Sequence, residues 1–339
     1  MNPMHWIKYF MAVTTIAILS ISLTNYLVNP YRIFTSSPLN SLLLTKQHLL
    51  SSRMTQVYNF KRIQPSTLMM GTSRIGLFSP KQLEVYLDKP IQNLALEGSS
   101  IYEQYCYLRY AIEHGRIKNI IWGLDFFAFN PDKSPDGTFE SERLESSFYW
   151  SDYATALFNF KTFQHSLATI KDKVSAPETI DFSGQPFTPE EIKSNITYTL
   201  NEYRTHKKFL ASNSFQQSNS IDQNLGYVQT IINLCRKHDI RCELYTSPVY
   251  EAHLKMYNAM GLEKTFRYWK ISLSRKTSYV DFCTVNSVTQ NLLYFRDSSH
   301  VIQEVGSMIF ARLFHDTTVK KTDDFGIDIF KNDLKSTFN

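Results

Sequence analysis

Five short apolar runs, separated by stretches of helical spacing, limit what this chain can fold into more than any other feature. They cover residues 66–73, 91–96, 117–127, 241–245 and 278–282. Strands that are apolar on both faces are the mark of a parallel sheet covered by helices on each side. Helical spacing over 101–114, 221–237, 250–274 and 301–314 supplies the crossovers, with Gly115 as a stop signal. The expected fold class is therefore α/β, built on a five-stranded, mainly parallel sheet.

Residues 130–218 interrupt the alternation. They hold Pro131, Pro135, Gly137, the aromatic run Phe148-Tyr149-Trp150 and a Ser/Gln/Asn-rich exit at 212–220. An insertion of this length predicts a helical cap over the strand ends, with the aromatic run in its core rather than as a sugar platform. The expected organisation is an anchor (1–30), a mostly helical neck (31–62), an α/β domain (63–129 and 219–320), the insertion, and a C-terminal tail (321–339). With 339 residues, 43% hydrophobic and 20% charged, the chain has the material for such a core and is not a disordered one.

Residues 9–28 give the length that spans a hydrocarbon core as a helix. Trp6 and Tyr9 stand at one end and Tyr26 and Tyr31 at the other, where aromatic rings meet headgroups, and Asn29-Pro30 stops the helix. An uncleaved anchor is preferred to a cleaved signal peptide, because the apolar core is long and Ser20-Ile-Ser22 is a poor cleavage site. A buried core helix is the third reading. Lys8 before the span is balanced by Arg32 and Lys46 after it, so charge leaves the orientation open.

Net charge is +5, with no dense Lys/Arg stripe, which argues against a nucleic-acid partner. From Arg32 to Lys81 every formal charge is positive and Glu84 is the first acid, a basic collar suited to anionic lipid. Cys106, Cys235, Cys242 and Cys283 form no Cys-x-x-Cys, and there is no His-Glu-x-x-His, so no metal is expected. Buried free thiols are the default, and a Cys235–Cys242 disulfide is the alternative.

The chemistry collects at strand ends. In parallel sheets a ligand sits beyond the C-terminal ends of the strands, and Ser73, Gly98, Asp125, Ser247 and Asp297 all follow such ends. A serine hydroxyl is a poor nucleophile until an imidazole takes its proton and a carboxylate fixes that imidazole. Asp297-Ser-Ser-His300 offers both groups, and His300 is the one histidine with Asp three residues before it. The bland reading of that pair is a surface loop supporting a helix start. Ser100, with Glu103 three residues on, reads as a capping box. Gly98 is a candidate oxyanion donor, since glycine lets a backbone N–H approach closely. Arg74 is a candidate contact for an anionic substrate group, or a partner for a carboxylate. Asp125 is a candidate substrate contact, or the group that orients the Ser73 loop.

Together these residues resemble the SGNH (GDSL) hydrolase superfamily: Gly71-Thr72-Ser73 for the nucleophile, Gly98 for an oxyanion donor and Asp297-Ser-Ser-His300 for the last block. More narrowly, the chain resembles membrane-anchored envelope proteins of the DltD and alginate O-acetylation type. The residues that carry this are Asn29-Pro-Tyr31, Gly71-Thr-Ser-Arg74, Asn93-Leu-Ala-Leu-Glu-Gly98-Ser, Tyr102-Glu-Gln104 and Gly123-Leu-Asp-Phe-Phe127. The superfamily takes an oxyanion-hole Asn from its third block, whereas this chain has Gly123-Leu-Asp125 there. Asn130, or the N–H groups of Ser73 and Gly98, are what it offers instead.

The resemblance implies a three-layer, flavodoxin-like sandwich on a single-pass anchor, facing the periplasm or cell exterior. It implies acyl transfer or ester hydrolysis on an envelope polysaccharide or polymer, with Ser73, His300 and Asp297 as the triad and no cofactor. It also implies a multi-pass O-acyltransferase as partner. The alternative is a catalytically inactive scaffold that binds the polymer or that acyltransferase.

Overall fold

The computed structural model describes residues 3–37, 39, 53–146, 148–175, 207, 210–320 and 322–332. In chain order its elements are α1 (Pro3–Val28), α2 (Arg53–Ile63), β1 (Thr67–Gly71), α3 (Ser73–Gly76), β2 (Ile91–Ala95), α4 (Ile101–His114), β3 (Asn119–Leu124), α5 (Glu142–Glu145), α6 (Trp150–Phe158), α7 (Phe160–Ser175), α8 (Asp222–Lys237), β4 (Arg241–Thr246), α9 (Glu251–Ala259), α10 (Glu263–Lys276), β5 (Tyr279–Asp281), α11 (Gln303–Leu313) and β6 (Ile327–Ile329). The chain forms two compact units, Met1–Ile63 with Thr138–Ile180, and Gln64–Gly137 with Asp181–Asn339.

The larger unit is α/β, on a mixed six-stranded sheet in the order β2-β1-β3-β4-β5-β6. β1 to β5 pair in parallel, as their apolar runs require, and β6 pairs antiparallel with β5. The sixth strand corrects the expectation of five, and it comes from the segment read as a tail. Phe325 and Ile329 are buried, and Arg312 fixes the strand from α11, with Nη2 on Asp328 Oδ2 (2.7 Å) and Nε on Gly326 O (3.1 Å).

Alternation along the strands sorts the core. Met69, Ile121, Tyr245 and Val280 pack with Val305, Ile309 and Phe310 of α11 on one face. The opposite-facing Trp122 donates from Nε1 to Gln104 Oε1 of α4 (2.7 Å). Ser100 caps α4 in the expected box with Glu103.

One expected helix is broken. The 250–274 segment forms α9 and α10, because Gly261 takes φ +71° between them and Leu262 turns into the core. That left-handed conformation is one glycine adopts without strain. All four cysteines are free, so the alternative of a Cys235–Cys242 disulfide is not formed.

Gly71 ends β1 under tight constraint. A Cβ there would lie 2.7 Å from Gly123 O on the neighbouring strand and 3.0 Å from Ile75 Cγ2. Neither neighbour is the loose end of a flexible side chain. Gly71→Ala is expected to lower stability by about 1–3 kcal/mol, read as a drop in the thermal or urea midpoint.

In the smaller unit, Met4–Val28 of α1 is long and apolar enough to cross a membrane, with mean hydropathy 1.7. Its 25 residues reach about 37 Å as a helix. It stops where expected, with Asn29 at φ +49° and its side chain tied to Phe34 N and O. Of the expected neck, α2 is helical, residues 29–37 form turns, and residues 40–52 lie outside the described residues. A small core of Tyr31, Ile33, Tyr58 and Ala156 is braced by a buried pair in which Arg143 grips Asp152 through Nε (2.7 Å) and Nη2 (2.9 Å). The expected insertion is divided: from Thr138 to Ile180 it belongs with this N-terminal unit. Its aromatic run is not core, since Phe148 is 52% and Trp150 67% exposed.

Candidate active site

The sheet order reverses at β1, which has β2 on one side and β3 on the other. Such a switch point opens a crevice beyond the C-terminal strand ends. β1 delivers Thr72 and Ser73 there. β3 delivers Asp125, and β2, in register Gly71↔Ala95, delivers the turn at Glu97-Gly98.

Ser73 is the first residue of α3 and half-buried. Its Oγ lies 2.8 Å from His300 Nε2, across 227 residues of chain. His300 Nδ1 lies 2.6 Å from Asp297 Oδ2. The other carboxylate oxygen, Oδ1, accepts from the N–H groups of Ser299 (2.7 Å) and His300 (2.8 Å). Asp297 thus folds its own loop and holds the imidazole with one carboxylate. With Asp297 ionised, Nδ1–H is the donor to it, and Nε2 is left to accept from the Ser73 hydroxyl. The pair is not a helix-start device: α11 begins after Ile302, without a side-chain cap.

Burial alone would push the Asp297 carboxyl up. The hydrogen bond and charge of His300, with the two loop N–H donors, overcome that and hold it at about 2. A carboxyl held below its ordinary 3.8 stabilises the fold above that pH, and the contribution is lost as pH falls through the folded value. Native chain and Asp297→Asn should therefore differ by roughly 2 kcal/mol above about pH 4 and converge near pH 2, measured by denaturant unfolding across that range.

Arg74 and Asp125, the candidate substrate contacts, are turned to each other. Arg74 Nη1 meets Asp125 Oδ1 at 2.8 Å, and the side chains are 5% and 1% exposed. Asp125 Oδ2 also accepts from Thr72 Oγ1 (2.5 Å), and Thr72 Oγ1 accepts from Arg74 N (3.4 Å). Of their two readings, pairing for Arg74 and orientation of the Ser73 turn for Asp125 are what this geometry supports. Thr72 and Ser299 were not singled out in the sequence. Their signal was position: one residue before the nucleophile, and two residues after the carboxylate it caps.

The oxyanion candidates fall out differently. Gly98 is exposed at φ +55°, with nothing within 4 Å of where a Cβ would stand. The Ser73 N–H belongs to a first helical turn, where no intrahelical acceptor exists. Asn130 is engaged locally: its N–H donates to Phe127 O (3.2 Å) and its Oδ1 accepts from Asp132 N (3.0 Å). Among the described residues no group of three or more His, Cys, Asp or Glu is gathered as a metal site.

No protein-family model matches the chain, and no curated protein matches it.

Proposed function

We propose that this chain is a membrane-anchored acyltransferase or esterase of SGNH type, acting on a cell-envelope polysaccharide or polymer. The observation that carries the reading is the continuous relay from Ser73 Oγ through His300 to Asp297, at 2.8 and 2.6 Å. Ser73 Oγ attacks the acyl carbonyl while His300 Nε2 takes its proton. The N–H groups of Ser73 and Gly98 stabilise the oxyanion, and His300 returns the proton to the departing alcohol. Water or a sugar hydroxyl then takes the acyl group from Ser73, and which of them arrives decides between esterase and transferase. The strand order 2-1-3-4-5 of the parallel part is that of flavodoxin-like sandwiches and supports the SGNH assignment.

Asp125 stands where the superfamily carries its third-block Asn, and a bare carboxylate there would repel an oxyanion. The guanidinium of Arg74, 2.8 Å away, neutralises it. The anchor α1 and the polymer-directed chemistry fit a domain on the periplasmic or outer side, beside a multi-pass O-acyltransferase that brings the acyl group across.

The test is turnover of a chromogenic acetyl ester by the full chain in detergent, followed by acetyl transfer to envelope glycans. Turnover that disappears in Ser73→Ala supports the reading. A folded chain that turns over no ester leaves the inactive scaffold as the better description.

A further inference from the structure

The N-terminal unit carries an apolar surface that the proposed chemistry does not use. Helix α7 is inside out for a helix in water. Its small residues Thr162, Ser166 and Thr169 are buried, whereas Phe160, Leu167 and Ile170 are 60%, 47% and 37% exposed. Helix α6 adds Trp150 and Phe158, 67% and 56% exposed. A surface helix in water turns its large apolar stripe inward. Small residues inward and large ones outward is how helices pack where lipid is the solvent.

This surface is fixed to the helix of membrane-spanning length. Asn25, fully buried in the last turn of α1, donates from Nδ2 to Leu157 O (3.0 Å) and accepts from Ser166 Oγ at Oδ1 (3.0 Å). Tyr31, just past α1, bonds His165 Nδ1 of α7 at 2.8 Å. The corner between α6 and α7 is therefore clamped at the end of α1, whose own Leu19 and Leu23 are 62% and 58% exposed. Large apolar side chains are thus left exposed on three helices that are fixed to one another. A single exposed apolar side chain needs no explanation, but seven of them on three clamped helices do.

We infer that α6 and α7 lie in the lipid–water boundary of the bilayer that α1 crosses, their large apolar side chains among the upper acyl segments. The exposed Lys161 and Lys171 on α7 reach headgroups along their aliphatic stems. The occupant is lipid, chosen because these helices are clamped to the end of α1, which is long and apolar enough to cross a membrane. The inference rests on α1 being in the membrane, and on nothing at Ser73.

Tryptophan fluorescence tests it. Trp122 and Trp269 are fully buried and give a constant background, so Trp6→Phe leaves Trp150 as the reporter and Trp150→Phe leaves Trp6. Each full-length variant is placed in nanodiscs with and without a shallow nitroxide-labelled phospholipid, and iodide is used as the aqueous quencher. The expected result is that nitroxide lipid removes more than half of the Trp150 emission while iodide removes little. Trp6 quenched by lipid, with Trp150 open to iodide, overturns the inference and leaves the anchor. Trp150 shielded from both quenchers also overturns it, in favour of a protein covering the patch. Neither tryptophan quenched by lipid overturns the inference and the membrane reading of α1 together.

Discussion

His300→Ala is expected to lower ester turnover by about 10⁴-fold or more, together with a lower unfolding midpoint. Nε2 is the group within reach of the Ser73 proton, and without it the hydroxyl stays a weak nucleophile. The side chain is also the partner that keeps the largely buried Asp297 carboxyl ionised, so its loss removes stability along with chemistry, and turnover is compared per folded molecule. Ser73→Ala should cost a similar factor. The double variant should be no worse than either single one, since the residues act as one unit. Steady-state kinetics on the three variants, with melting curves alongside, check this. Additive losses would mean that Ser73 and His300 act separately.

Asp125→Ala carries the largest expected effect on stability. It strands the Arg74 guanidinium, 5% exposed, without its ion partner, and it removes the acceptor that fixes Thr72. Breaking one side of a buried pair costs about 3–5 kcal/mol, because the remaining charge stays desolvated. That is a large share of the roughly 5–15 kcal/mol that holds a domain together. Replacing both partners, as Arg74→Met with Asp125→Leu, should recover most of the loss, while the reactivity of Ser73 stays depressed because its turn is no longer braced. Denaturant midpoints separate the two effects from kinetics. A single variant as stable as the native chain would show that the pair is not the brace described here.

The strands were legible because burial on both faces leaves unbroken apolar runs such as Leu68-Met69-Met70 and Ile120-Ile121-Trp122. Strand β6 was not, because Ile327-Asp328-Ile329 is three residues of mixed polarity in an acidic stretch, held by Arg312 from elsewhere in the chain. The break at Gly261 was hidden because a glycine within a helical pattern is tolerated as often as it ends one. At the site, Ser73, Asp297 and His300 could be named because each stands at a turn after an apolar run. The mutual burial of Arg74 and Asp125 could only be left as one of two readings, since the sequence does not say which strands are neighbours. Phe148 and Trp150 misled because composition cannot distinguish an aromatic that faces a core from one that faces outward.

The most direct test of the account is a serine-reactive fluorophosphonate on the full chain, with the adduct located by peptide mass spectrometry and His300→Ala as control. One phosphonyl group on Ser73 is expected, and none in the control, because the hydroxyl is activated only through Nε2 at 2.8 Å. An unlabelled Ser73 in a folded native chain, or equal labelling of native chain and control, would contradict it.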